Sequence, residues 1–280
     1  MSDPPAFPVS DVITVEPRGH VVIVWLDRPE QRNAMAPSFW EDFPAVVESV
    51  AADPDVRVLV VAAKGPAFTV GIDLAAFGGV LESGDRGDRA GVARRMATYR
   101  QVKRMQQTFT ALADAPQPVV VATQGWCLGA GVDLITACDI RIAAADTVLS
   151  VRETRLAMVA DVGTLQRLPR IIGAGRVADL VFTGRDVTAG EAAAMGLVDR
   201  VLPDREAAIA AALEIADQIA ANSPLAVQGA KAVLRAGEGR STTEALDYVA
   251  LWNAAFLHSD DLGEAIRAFR DKRPPDFAGT

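Results

Sequence analysis

The sequence predicts an α/β core followed by a helical C-terminal segment, and three observations carry that assignment. Over the first two thirds of the chain, apolar runs of strand length alternate with segments of helical spacing, the pattern of crossover units on a parallel or mixed sheet. From residue 174 onward helical spacing dominates, with one short strand expected at 197–201. Half of the 280 residues are hydrophobic and 23% are charged, which supplies a core and leaves little room for extended disorder. At this length about three quarters of the unfolded chain's surface can be buried, so no disulfide or metal staple is required.

Residues 9–16 and 20–26 alternate β-branched residues around Pro17, Arg18 and Gly19 and read as a hairpin. Ser38 stands where it can cap a helix whose Phe39, Phe43, Val46, Val47 and Val50 share one face. A buried strand is expected at 56–63, then a loop punctuated by glycine and proline, a polar helix over 89–113 and an apolar strand at 118–123. Helical spacing at 129–137 precedes short strands near 140–143 and 147–151. Helices at 205–221, 224–235, 242–257 and 262–270 have few partners upstream, so the chain divides into a core over 1–200 and a helical oligomerisation segment over 201–280.

The balance of 28 basic against 36 acidic residues, net −8, argues against nucleic acid as a partner. The longest apolar stretches, such as 58–63, are strand-sized, so no membrane partner is expected. The first eight residues hold an acid and three prolines with no apolar run, unlike a secretory signal. Cys127 and Cys138 lack CxxC spacing and nearby histidines, which disfavours a zinc site or redox dithiol and points to a reducing compartment, the cytosol by default. Cys127 reads as a buried structural thiol. His20 and His258, the only histidines, are expected at the surface, which disfavours a Ser-His-Asp hydrolase.

The chemistry concentrates in two glycine-bearing loops, 64–74 and 124–133, each following an apolar strand. Glycines 125, 129 and 131 do not follow the order of a dinucleotide fingerprint. What both loops offer is outward-pointing backbone N–H groups, and two such donors meeting at one point make an oxyanion hole. Asp133 follows Gly129 and Gly131 between Val132 and Leu134, where an unpaired charge is costly. Asp73 reads as a helix-start acid.

Several ordered motifs resemble the crotonase (enoyl-CoA hydratase/isomerase) superfamily: Leu26-Asp27-Arg28-Pro29 with Arg32-Asn33-Ala34-Met35, Phe68 to Leu74, Gly125 to Asp133, and Ala137-Cys138-Asp139-Ile140-Arg141. Gln166-Arg167-Leu168-Pro169, Phe182-Thr183-Gly184-Arg185 and 193–201 fit as well. The resemblance implies a spiral of ββα units, a CoA thioester substrate with no separate cofactor or metal, and a homotrimer or dimer of trimers built through the C-terminal helices. It places the two oxyanion donors at the amides of Ile72 and Ala130, where most relatives carry glycine in place of Ala130. It places CoA against Arg32, Ala34, Val70, Gly71, Asp73 and Leu74, with Phe269 and Lys272 reaching the CoA of a neighbouring subunit.

Asp133 and Glu153 occupy positions where hydratases of this family hold a glutamate pair, and Asp161 stands where hydratases usually have glycine. With 160–169, Ala226-Val227-Gln228-Gly229 and Leu246-Asp247-Tyr248, these acids resemble the Δ3,5-Δ2,4-dienoyl-CoA isomerase branch. That branch implies Glu153 at the C2 proton, Asp161 at the far end of the dienolate and Asp133 orienting Glu153. Two other readings stay open: an enoyl-CoA hydratase, and a catalytically silent oligomeric binding protein. The acyl tunnel is expected to depend on 77–104.

Overall fold

The computed structural model describes residues 7–76 and 89–280, and for residues 89 and 90 the backbone alone. Part of the stretch expected to shape the acyl tunnel, 77–88, lies outside the described residues, as do the first six positions of the N-terminal stretch.

The hairpin forms as β1 (Ile13–Arg18) and β2 (Val21–Leu26), paired antiparallel. β2 runs parallel to β3 (Val58–Ala63), which runs parallel to β4 (Val119–Thr123). β5 (Trp126–Leu128), β6 (Ile140–Ala144), β7 (Val148–Ser150), β8 (Val187–Thr188) and β9 (Arg200–Leu202) follow. The larger sheet has the order β1-β2-β3-β4-β6-β9, and β5-β7-β8 form a smaller one. The ten α-helices among the described residues begin with α1 (Phe39–Ala51), α2 (Arg89–Asp114), α3 (Ala130–Thr136) and α4 (Thr164–Ile172). They continue as α5 (Ala174–Thr183), α6 (Ala189–Met195), α7 (Arg205–Ala220), α8 (Pro224–Ala236), α9 (Thr242–Phe256) and α10 (Asp260–Asp271). No described helix is long and apolar enough to cross a membrane.

The continuous apolar strands are explained by burial on both faces. In β3, Leu59, Val61 and Ala63 point into one cluster with α1 and α2, while Val58, Val60 and Ala62 point into a second with Ala208, Ala212, Ile215 and Ala216 of α7. The helix at the start of the C-terminal segment thus covers the core sheet, and α8 to α10 lie beyond it.

Ser38 sits at the start of α1 but makes no capping bond, because its backbone is already helical (φ −61°, ψ −33°) rather than extended. Pro44 inside α1 cannot donate to the Trp40 carbonyl; the Thr108 hydroxyl of α2 donates to it instead at 3.3 Å. β5, β8 and α4 were not legible: the strands are too short to show a period, and Pro169 lies inside α4. The strand expected at 197–201 forms at Arg200–Leu202.

Candidate active site

The site is assembled where β3 and β4 end, the usual place for ligands in parallel sheets. Asn33 (φ 55°) accepts from the Arg28 amide and donates to the Lys64 and Ala67 carbonyls, each at 2.8 Å. The Gln124 carboxamide donates to Ala63 and Gly65. The Thr69 hydroxyl donates to the Asn33 carbonyl at 2.6 Å and accepts from the Gly71 amide at 3.0 Å. These side chains hold both glycine loops to one course.

Backbone bonds then join the loops. Thr69 N donates to Trp126 O at 2.9 Å and Leu128 N to Thr69 O at 3.1 Å; Met35 N donates to Gly71 O at 2.8 Å and Asp73 N to Met35 O at 3.1 Å. In such a parallel bridge the middle residue directs its own N–H away from its partner. The Ile72 amide therefore faces away from Met35, and it has no hydrogen-bond partner among the described residues. Ala130 opens α3, where an amide has no partner within the helix, and its N–H is likewise free among the described residues. The two loops pass closely where these amides lie. A Cβ built on Gly71 falls 2.8 Å from Leu128 O and 3.5 Å from Ala130 N. Both residues line a cavity of about 360 Å³ with Val70, Gly71, Leu74, Glu153 and Met158. Ala130 itself avoids the left-handed region; the positive φ falls on Gly129 (51°) and Gly71 (87°), so alanine at 130 leaves the donor intact.

Asp133 lies in the first turn of α3 and is fully buried. Its Oδ1 accepts from the Thr164 amide at 2.5 Å, and its Oδ2 has no partner among the described residues. Burial pushes its carboxyl up to about 6, opposed by donation from Thr164 and by the charge of Arg167. Glu153 begins a short 3₁₀ turn, Glu153–Leu156. Its Oε1 lies 3.2 Å from where a Gly129 Cβ would stand, which sets the carboxyl against the residue preceding the Ala130 amide. Its Oε2 is buried without a partner among the described residues. Burial, and next the charge of Asp133, push Glu153 up to about 7.

Asp161 precedes α4, its carbonyl held by Gln106 Nε2 of α2 at 2.7 Å. The residue is exposed and does not line the cavity, yet the protein around its carboxyl raises its pKa, and its charge acts on both Asp133 and Glu153. The three acids come from three elements and interact electrostatically.

Of the residues expected to hold CoA, Val70, Gly71 and Leu74 line the cavity and the others do not. Arg32 is exposed in a left-handed conformation (φ 51°), its carbonyl accepting from Val70 N at 3.2 Å. The Ala34 carbonyl accepts from Arg28 Nη1 at 2.6 Å. Asp73 is engaged by Arg28 and by the Ala76 amide, each at 3.2 Å, and serves the turn. Phe269 and Lys272 belong to α10 and its C-cap, which the chain anchors through Ser223 to Asp261 (2.6 Å) and Arg57 to Phe277 O (2.5 Å), at the opposite, amino ends of the strands. One chain does not bring them to its own cavity. Cys127 is buried outside the cavity, and burial raises its thiol pKa.

Sequence reasoning missed the Thr164 amide under Asp133 and the contribution of Leu156 and Met158 to the cavity. Both depend on the 3₁₀ turn, too short to show a period, and on α4, whose apolar face through Leu168 and Ile172 is interrupted by Pro169.

A model of the enoyl-CoA hydratase/isomerase family matches residues 16–280. The chain is 41% identical over 257 residues to the mitochondrial Delta(3,5)-Delta(2,4)-dienoyl-CoA isomerase of Rattus norvegicus, covering 91% of this chain and 77% of that protein. It is 41% identical over 259 residues to the peroxisomal Delta(3,5)-Delta(2,4)-dienoyl-CoA isomerase of Arabidopsis thaliana, covering 92% of each. The crystal structure of enoyl-CoA hydratase from Bacillus anthracis superposes with a TM-score of 0.87 at 32% identity, over 96% of this chain and 100% of that one. The expectation of a cytosolic protein is overturned by these relatives, which are mitochondrial and peroxisomal; two unpaired cysteines carry no information that distinguishes one compartment from another. With a family match reaching from residue 16 to the last residue and a superposition over nearly the whole fold, the chain belongs to the enoyl-CoA hydratase/isomerase, or crotonase, family.

Proposed function

We propose that this protein isomerises 3,5-dienoyl-CoA to 2,4-dienoyl-CoA. The observation that carries the reading is three acids with raised pKa values, Asp133, Glu153 and Asp161, interacting beside a cavity lined by two free amides. The similarity to dienoyl-CoA isomerases over some nine tenths of the chain supports it.

In the proposed reaction the thioester oxygen sits between the amides of Ile72 and Ala130. Ionised Glu153 takes a proton from C2, and the negative charge spreads over the thioester oxygen, C2, C4 and C6, with the amides stabilising the oxygen. Protonated Asp161 gives its proton to C6, so that the double bonds move to C2=C3 and C4=C5. Asp133, held by the Thr164 amide, orients Glu153 and keeps its basicity near neutral pH, where a general base works best. Exchange with solvent returns Glu153 to its ionised form and Asp161 to its protonated form. Separate acids serve separate ends because one carboxyl cannot reach both without travelling along the chain.

The subunit arrangement we propose is a trimer or dimer of trimers through α8 to α10, which presents Phe269 and Lys272 to a neighbour's CoA. Leu234, Leu251 and Phe269 of these helices are 76%, 70% and 86% exposed, more apolar surface than isolated helices normally leave to water.

The test is conversion of a 3,5-dienoyl-CoA in ²H₂O, followed by ultraviolet absorbance and mass spectrometry. Deuterium is expected at C6 of the product, and Asp161→Asn is expected to lower turnover about a hundredfold or more. Unchanged turnover in that variant, or migration of the C2 proton to C6, sinks the two-acid assignment; crotonyl-CoA hydration outpacing isomerisation sinks the isomerase reading.

A further inference from the structure

A second cavity, of about 420 Å³, is lined by residues of α2, α3, α4 and α8 and by four arginines. Three of them are paired: Arg235 with Asp114, Arg170 with Glu238, and Arg141 with Asp199. Arg167 of α4 has no carboxylate within 4.0 Å among the described residues, although it is partly buried. Its contacts go instead to the loop that serves the active site. Nη1 donates to the Val162 carbonyl and Nη2 to the Thr110 hydroxyl of α2, both at 3.4 Å. The guanidinium also sets its Nη1 edge against Gly163 (φ 138°): a Cβ built there would fall 1.8 Å from Nη1. One end of this loop carries Asp161 and the other supplies the Thr164 amide to Asp133.

We infer that Arg167 is a positioning residue for the reaction: its guanidinium clamps the middle of the 161–164 loop, fixing Asp161 and the Thr164 amide together, and stands as an uncompensated cation beside Asp133. The kinetic part of this inference rests on the isomerase reading above; the electrostatic part does not. An arginine suits the place because its planar fork reaches Val162 and Thr110 at once, which an ammonium group cannot do. Its charge opposes the burial that raises Asp133. The other charged groups facing it are Asp114 of α2, Arg235 of α8 and Glu238 just beyond it, Asp139 and Arg141 beyond α3, and Arg170 on its own helix. Those with carboxylate partners offset one another, which leaves Arg167 to set the local balance.

The two parts are separated by Arg167→Lys and Arg167→Met. The lysine variant keeps the charge and loses the fork; kcat is expected to fall about tenfold with KM within about twofold of wild type. The methionine variant loses both. Its kcat is expected to fall further, and ¹³C titration of the Asp133 and Glu153 carboxyls should show the pair's lower step about half a unit or more higher, with that step restored in the lysine variant. The titration needs no turnover. If wild type fails to isomerise dienoyl-CoA, the isomerase reading falls while the carboxyl titration still decides on Arg167. Full kcat in Arg167→Lys overturns the clamp, and an unmoved carboxyl step in Arg167→Met overturns the electrostatic role. Should the methionine variant not fold, Arg167→Gln takes its place in the titration with the same rise expected, and Thr110→Val tests the clamp alone: it frees one arm of the fork with the charge kept, and unaltered kcat there overturns the clamp.

Discussion

Replacing Gly71 by alanine tests whether backbone geometry at the loop crossing makes the anion site. Gly71 has φ 87°, and the added Cβ would stand 2.8 Å from the Leu128 carbonyl oxygen. That oxygen has little freedom to yield, because the Leu128 amide is bonded to Thr69 O at 3.1 Å and the next amide, Gly129, to Ser150 O at 2.9 Å. The left-handed backbone alone costs alanine about 1–2 kcal/mol. Relief of the clash must come from movement of the 70–72 peptide units, which turns the Ile72 N–H from its place beside Ala130. Loss of one donor from an oxyanion hole costs about 3 kcal/mol in the transition state, about a hundredfold in kcat. Gly19→Ala is the control. It has φ 61° in the hairpin turn, and a Cβ there meets nothing within 4 Å. It is expected to lower the melting temperature by a few degrees, about 1 kcal/mol, and leave turnover alone. Steady-state isomerisation and thermal melts of both variants decide. A folded Gly71→Ala enzyme with kcat within about threefold of wild type refutes the reasoning, as does an equal loss in both variants.

Asp133→Asn is expected to stabilise the protein at neutral pH while abolishing turnover. The folded-state pKa of Asp133, about 6, lies above the ordinary 3.8, so the folded state binds the extra proton between these values. Stability then falls as pH rises through that window, by about 3 kcal/mol at pH 7. Asparagine keeps an oxygen for the Thr164 amide and carries no charge. Its melting temperature should exceed wild type at pH 7 and the difference should shrink toward pH 4; equal melting at pH 7 contradicts the burial argument. Thr108→Val is expected to cost about 1 kcal/mol with turnover unchanged, because it strands the Trp40 carbonyl that Pro44 cannot serve. Melting indistinguishable from wild type would mean that another donor reaches that carbonyl.

Most of the fold was legible because strands and helices in it obey single periods. Val58 to Ala63 is apolar throughout since both faces of β3 are covered, and the face of α1 made by Phe39, Phe43, Val46 and Val50 repeats at helical spacing against α2. The glycine loops were legible for a different reason: Gly71 and Gly129 hold conformations that a side chain resists, so residue type alone marks the crossing. Asp133 was conspicuous as a charge between Val132 and Leu134. Its partner was not. The Thr164 amide belongs to the backbone, which has no letter in a sequence, and it arrives through a helix masked by Pro169. Asp73 was harder for the opposite reason. Its position reads both as a helix-start acid and, by resemblance, as a CoA contact, and its bonds to Arg28 and the Ala76 amide show the turn claiming it.

The same geometry leads to the expectation that positions 72 and 130 accept substitution more readily than positions 71 and 129. At each position the N–H that faces the cavity is a main-chain group, so the side chains of Ile72 and Ala130 add nothing to its direction. The peptide unit supplying each amide also contains the carbonyl of the preceding residue, and it is the φ of Gly71 and Gly129 that swings this unit into place. A methyl at 130 leaves that hinge untouched. A methyl at 129 would meet Glu153 Oε1 at 3.2 Å and one at 71 the Leu128 carbonyl at 2.8 Å. Substitutions at 130 should therefore act on the shape of the cavity, whereas substitutions one residue earlier should act on the direction of the amide and, at 129, on the Glu153 carboxyl as well. The constraint on identity falls on residues that touch no substrate atom through a side chain, because they have none.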